Sequence, residues 1–288
     1  MSGAIIKTGA TTVLLGNRHY EGHFGYKPNK LLKVTKVDEG HDEFKNMPFV
    51  RAIKNYKNYY IIPDQEITKI LPDSDFYNYL KILVKNYDLK IFDDALYCCY
   101  VDYGGSMDVM DSLMCFSSRI WSSAKAILKF SDQIMTGLKF LHEIEIAHLD
   151  IKPENIVINL WDLTFKIIDF GYSSKYPFDD FVNNIRGTPC YFPKDIKSGS
   201  DLGLPKIDAN DLEQYRGKIP MDTNRTLVYK IDSYCLGRTL LLVYDVYKSK
   251  SRKMFESRSR TNIKLLLELL LEKNVYKRLT VTQILALK

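Results

Sequence analysis

The chain has 288 residues, of which 45 % are hydrophobic and 26 % charged, enough for one large globular domain or two smaller lobes and too apolar for a disordered chain. A net charge of +6 is a modest basic excess, compatible with acidic partners without requiring them, and it reads as a solvated basic face before it reads as a nucleic-acid surface. Five cysteines, odd in number and without framework spacing, exclude a disulfide scaffold and point to free thiols in a reducing compartment.

The N-terminus lacks a basic lead followed by a long apolar core, so no signal peptide is expected. Apolar runs such as Thr239–Tyr244 fall far short of a membrane span. The expectation is a cytoplasmic protein with no membrane contact.

Residues 5–37 alternate as strands, clearest in Thr11–Leu15 and Lys30–Val37, with an enlarged turn carrying Gly22 and Gly25 between them. Gly9 precedes the first strand, where backbone amides could approach an anion. Lys33 and Lys36 lie three apart in the second strand and therefore face opposite sides. Lys33, in Leu31-Leu32-Lys33-Val34, has apolar neighbours on both sides, and Lys36 is its rival. Glu43 follows in a helix-like start, with Glu39 and Glu66 as alternatives. Over residues 44–92, Pro48, Pro63 and Pro72 are expected to interrupt any long helix. Ala95–Val101 reads as an apolar strand leading into Asp102-Tyr103-Gly104-Gly105, where a domain boundary is expected.

Ala124–His142 carries Ile127, Leu128, Ile134, Leu138 and Leu141 at helical spacing. The polar loop Ala147-His-Leu-Asp-Ile-Lys-Pro-Glu-Asn155 separates this helix from the apolar strand Ile156-Val157-Ile158, and Lys166-Ile-Ile-Asp-Phe-Gly171 ends a second strand on Asp169. Gly187-Thr-Pro-Cys-Tyr191 and Phe192-Pro-Lys-Asp195 come next. Ile196–Tyr229, rich in Gly, Pro, Asp and Asn, reads as an inserted loop. Lys230–Gly237 reads as a buried helix bearing Asp232, Lys248–Arg260 as a solvated basic run, and Ile263–Leu271 and Val281–Leu287 as closing helices.

The loop around Asp150, Lys152 and Asn155, followed by Asp169-Phe170-Gly171, resembles the catalytic loop and Asp-Phe-Gly motif of the protein kinase superfamily, serine/threonine type. The resemblance runs along essentially the whole chain. It implies an α+β bilobal fold, with a small β-rich lobe over residues 1–103 and a larger, mostly helical lobe over 104–288. It implies ATP and Mg²⁺, with Asp150 as base or orienting acceptor for the substrate hydroxyl and Lys152 on the γ-phosphate. Asn155 and Asp169 would be the metal ligands. Lys33 paired with Glu43 would hold the phosphates, joined at the nucleotide by Gly9, Val101, Asp102, Tyr103 and Val157. Thr188 would bond Asp150 and Lys152, Asp195 would pair with Arg278, and His148 would be a packing residue.

Four features depart from the family. The Gly-rich signature is missing, Glu43 follows Lys33 by only ten residues, Asp195 replaces a Glu, and Leu149 stands where an Arg commonly receives an activation-loop phosphate. The enlarged hairpin and short linker look similar to kinases of large DNA viruses, which would make the compartment a host cytoplasm. The implied partners are protein substrates, acidic ones among them, and the sequence says nothing of oligomeric state. Two alternatives remain: a pseudokinase serving as a binding or scaffold protein, and a kinase of small molecules.

Overall fold

Alternation along the first strands produces a sheet with two different faces. The computed structural model describes residues 5–8, 12–85, 95–105, 107–115, 120–178, 187–194, 196, 221–250 and 257–287. The chain divides into two units, one of Met1–Pro48 with Ile61–Gly104, the other of Phe49–Tyr60 with Gly105–Lys288. The grouping of 49–60 with the C-terminal unit was not anticipated from the sequence.

In the first unit, β1 (Ile5–Thr8), β2 (Thr12–Leu15), β3 (Lys30–Lys36), β4 (Pro63–Ile70) and β5 (Leu96–Asp102) form an antiparallel sheet in the order β1-β2-β3-β5-β4. Leu32 and Val34 of β3 join Leu96, Cys98 and Tyr100 of β5 in the larger core cluster. Helix α1 (Asn17–Phe24) adds Tyr20 to that core, and α3 (Asp75–Leu83) adds Phe76, Tyr77 and Leu80. Ser74 caps α3 by accepting a bond from the Tyr77 amide at 3.4 Å. Leu31, Cys99 and Val101 pack together on the opposite face. The pairing Leu31↔Val101 and Lys33↔Cys99 puts Lys33 on that second face with them. Helix α2 (Val37–Ala52) carries Glu43.

Two expectations change here: the enlarged turn between β2 and β3 is α1, and Pro48 lies inside α2 instead of ending it; Pro63 opens a strand and so lies outside any helix.

The second unit is built on α5 (Ala124–Glu143), which buries Ile127, Phe130, Ile134, Leu138 and Leu141 along one stripe. Helices α4 (Val109–Met114), α6 (Met221–Lys250), α7 (Ser257–Leu270) and α8 (Val281–Leu285) complete its helical part. The last nine residues of the expected 196–229 loop, from Met221, are therefore helix. Strand β6 (Met107–Asp108) pairs with β8 (Ile156–Asn159), which forms a hairpin with β9 (Thr164–Ile167). Strand β7 (Ile146–Ala147) pairs with β10 (Ser174–Lys175), matching Ala147 with Ser174 and Ile146 with Lys175. Among the described residues, no helix is long and apolar enough to cross a membrane.

Candidate active site

The polar loop after α5 is shaped from beneath by one buried carboxylate. Asp232 of α6, wholly buried, accepts the backbone N–H of His148 at 2.9 Å and that of Leu149 at 2.7 Å. Its Oδ2 also meets His142 Nε2 at 2.9 Å. Leu149 is itself buried and sits at φ 66°, a left-handed conformation that a branched side chain adopts only when its surroundings impose it. Those two bonds to Asp232 supply the imposition and direct the next residue, Asp150.

The Asp150 carboxylate, 6 % exposed, lies at the centre of a polar net. Its Oδ1 accepts from Thr188 Oγ1 at 2.6 Å and from the Thr188 amide at 3.2 Å. Its Oδ2 accepts from Asn155 Nδ2 at 2.9 Å and pairs with Lys152 Nζ at 2.7 Å. Lys152 Nζ also donates to Thr188 Oγ1 at 2.8 Å. Gly187 makes this approach possible, since a Cβ there would lie 2.5 Å from the Phe192 ring and 3.2 Å from Leu149 O. The net fixes a carboxylate and an ammonium side by side, as acceptance of a hydroxyl proton and neutralisation of a transferring anion require.

Asn155 and Asp169 are brought together by hairpin register. Ile156 pairs with Ile167, and Asn155 O accepts the Ile168 amide at 2.9 Å, so both polar residues stand at one end of the β8–β9 ribbon. Asn155 donates Nδ2 to Asp150, so the oxygen of its amide is the atom that could serve as a metal ligand. Asp169 is exposed at φ 63°, while Phe170 beside it is wholly buried. One carboxylate and one amide oxygen are the hard, sparse donor set that Mg²⁺ takes when phosphates and water complete its shell, so the residues fit that ion.

Phe170 holds Asp169 by packing. Its ring lies 5.0 Å from His148 and 5.9 Å from Tyr60, whose hydroxyl donates to Gly137 O at 2.5 Å. Burial lowers the pKa of His148 below the ordinary value, outweighing the upward pull of Asp232, Asp150 and Asp169. The neutral ring packs against Phe170, with Nε2 3.2 Å from Ile168 O.

In the first unit Lys33 Nζ meets both Glu43 oxygens at 2.7 Å, with Lys33 7 % and Glu43 3 % exposed. Lys36 lies at the half-buried end of β3, and Glu66 is 87 % exposed. Val101 is buried beside Leu31, and Asp102 pairs with Lys30 Nζ at 2.7 Å. The Tyr103 amide donates to Asn29 O at 2.8 Å and is thus engaged inside this unit. Half-buried Val157, in the second unit, stands where a Cβ on Gly105 would come within 2.0 Å of its Cγ1. Gly9 and Asp195 lie outside the described residues. Arg278, the expected partner of Asp195, is wholly buried, with Nε donating to Glu272 O at 2.8 Å.

Residues 81–288 match the family described as protein kinase domain. The chain belongs to the protein kinase family. It is 29 % identical over 235 residues to the serine/threonine-protein kinase ppk34 of Schizosaccharomyces pombe, covering 79 % of this chain and 60 % of that protein. Serine/threonine-protein kinase dkf-1 of Caenorhabditis elegans is 42 % identical over 67 residues, 22 % of this chain and 9 % of the relative. Serine/threonine-protein kinase RAD53 of Saccharomyces cerevisiae is 27 % identical over 140 residues, 48 % of this chain and 17 % of the relative. This kinase-family chain therefore spans less than two thirds of the length of these relatives.

Several residues that position the kinase loop carried no local signal. His142 stands in sequence only as the end of a helical pattern, and Tyr60 falls within residues 44–92, where amphipathic and loop patterns mix. Glu145, Lys175 and Arg225 meet across thirty and eighty residues of sequence, a separation that no motif spans.

Proposed function

We propose that the chain is an ATP- and Mg²⁺-dependent serine/threonine protein kinase that transfers the γ-phosphate to a protein hydroxyl. The observation that carries this reading is the Asp150 carboxylate, held at once by Lys152, Asn155 and Thr188. Asp150 accepts the hydroxyl proton or orients the hydroxyl for in-line attack, and Lys152 balances charge on the transferring group. Thr188 keeps the two side chains in register. Asn155 and Asp169 would hold Mg²⁺, which neutralises phosphate charge when bound. In the first unit the buried Lys33–Glu43 pair presents an ammonium of fixed position for phosphate oxygens. The intact set of Lys33, Glu43, Asp150, Lys152, Asn155 and Asp169 supports catalysis over a purely scaffolding role, and the serine/threonine kinases among the relatives support a protein hydroxyl as acceptor. All five cysteines are free thiols, in keeping with a cytoplasmic location.

The test is incubation of the purified protein with labelled ATP, Mg²⁺ and a mixture of acidic and basic proteins. Label is expected on serine or threonine of a protein. Asp169→Asn should abolish transfer and Mg²⁺-dependent nucleotide binding while the protein stays folded. Asp150→Asn should keep ATP affinity within about three-fold and lower turnover by at least about 100-fold, because the group acts mainly in the transition state. A wild-type protein that binds ATP and transfers nothing would establish the scaffold instead, and label appearing only on small molecules would reassign the acceptor.

A further inference from the structure

We infer that Glu145 is a positioning residue for phosphoryl transfer: its carboxylate clamps Lys175 and Arg225 and so fixes, without any phosphate, the strand that leads from Asp169 toward Thr188. The inference rests on the kinase reading above and adds how that reading's segment is held in place.

Glu145 closes α5 at φ 66°, its amide bonded to His142 O at 3.1 Å. One carboxylate oxygen lies 3.1 Å from Arg225 Nη1, the other 3.6 Å from Lys175 Nζ. Its carbonyl accepts the Tyr176 amide at 2.8 Å. Arg225, in the first turns of α6, also donates Nε to the Tyr229 hydroxyl at 3.2 Å, and its guanidinium lies 5.9 Å from the Tyr176 ring.

Three chain segments thus meet at one anion: the turn entering β7, strand β10 and the start of α6. The β7 side continues through His148 and Leu149 into Asp150. The β10 side begins five residues after Asp169, and its pairing with β7 sets both in one register.

Two cations from separate segments converging on one acid is the arrangement by which an added phosphate orders a loop. Here the acid is part of the sequence. Leu149, buried and apolar, contributes no cation to a phosphate, while Lys175 and Arg225 already hold a carboxylate. The three side chains are between 29 % and 37 % exposed, so each pair is partly screened and the effect of removing one is moderate.

The experiment compares Glu145→Gln, Glu145→Asp, Arg225→Ala and the double variant Glu145→Gln/Arg225→Ala with wild type. All are treated with phosphatase and checked by mass. Steady-state kinetics and amide hydrogen exchange over residues 172–178 are then measured. Glu145→Gln and Arg225→Ala should each lower kcat about five- to ten-fold, the scale of a charged contact of about 1 kcal/mol or slightly more. KM for ATP should stay within about two-fold, and exchange across 174–176 should quicken. Glu145→Asp, which keeps the charge, should fall between wild type and Glu145→Gln. The double variant should lose less than the sum of the two single losses, because the Glu145–Arg225 contact is shared while Glu145 also holds Lys175 and Arg225 also holds the Tyr229 hydroxyl. Wild-type kcat and exchange in Glu145→Gln would overturn the clamp, as would strictly additive losses. A wild-type enzyme that loses activity on phosphatase treatment and regains it after preincubation with ATP would do so too. Should the untreated wild type transfer no phosphate at all, the kinase reading fails, and the exchange measurement alone still decides whether Glu145 holds the strand.

Discussion

Replacing Asp232 with Asn tests the reasoning about the loop most directly, because it removes a charge and one acceptor while preserving shape. In the folded protein each Asp232 oxygen takes one backbone N–H, from His148 and from Leu149, and Oδ2 also meets His142. An amide offers one oxygen, so one of the two buried N–H groups must face an NH₂ and lose its acceptor. An unsatisfied buried donor costs about 1–3 kcal/mol, and loss of charge assistance on the surviving bond removes about 1 kcal/mol more. The left-handed Leu149, a conformation costing about 1–2 kcal/mol, then loses part of what enforces it. The expected destabilisation is about 2–4 kcal/mol, with a fall in kcat because Asp150 follows Leu149 directly. Equilibrium urea unfolding followed by tryptophan fluorescence measures it. Of the two tryptophans, Trp121 is wholly buried and Trp161 is 91 % exposed, so the signal reports mainly on the environment of Trp121 in the same unit. A loss below about 0.5 kcal/mol, inside the range of an ordinary surface change, would refute the claim that this carboxylate shapes the loop.

Lys33→Met should lower stability by about 3–5 kcal/mol by leaving Glu43 buried without its cation, and should abolish nucleotide-dependent activity. Lys36→Met, at the edge of the same strand, should stay within about 0.5 kcal/mol of wild type, and the two variants assayed side by side decide between the lysines. Under native conditions at pH 8, a thiol reagent should modify exposed Cys115 and Cys190 quickly and leave Cys98, Cys99 and Cys235 until the protein unfolds. Burial lifts both Cys98 and Cys99 to about 12, so they remain protonated and inert at that pH. Mass spectrometry that found Cys98 or Cys99 labelled first would contradict the packing of β5.

The parts of the site that were legible in sequence are those assembled by local geometry. Asp150, Lys152 and Asn155 lie within six residues of one another, and the short β8–β9 hairpin returns the chain so that Asp169 ends near Asn155. The parity of β3 shows only that Lys33 and Lys36 face opposite sides, and the apolar neighbours of Lys33 favour it; the structure puts Lys33 on the face of Leu31, where it meets Glu43. Strand β4 was not legible: its central residues are exposed and show no alternation, and its partner β5 begins some thirty residues later. Helix α1 buries Tyr20 alone, so it offers no apolar stripe, and Gly22 within it and Gly25 at its end read as a turn. The start of α6 was hidden for the opposite reason, because the Gly- and Pro-rich composition before it was extended too far. The Glu145 clamp depends on contacts between distant residues whose individual neighbourhoods look like ordinary solvated charge.

The burial of Leu149 also constrains how the protein could change over generations. A single substitution to Arg would place a guanidinium where the side chain has no solvent contact, at a severe cost unless a carboxylate were supplied with it. Descendants of this sequence would therefore have to remodel the surroundings first, through intermediates that gain nothing from the arginine. An apolar residue buried at this place is in that sense easily kept and hard to exchange for a cation.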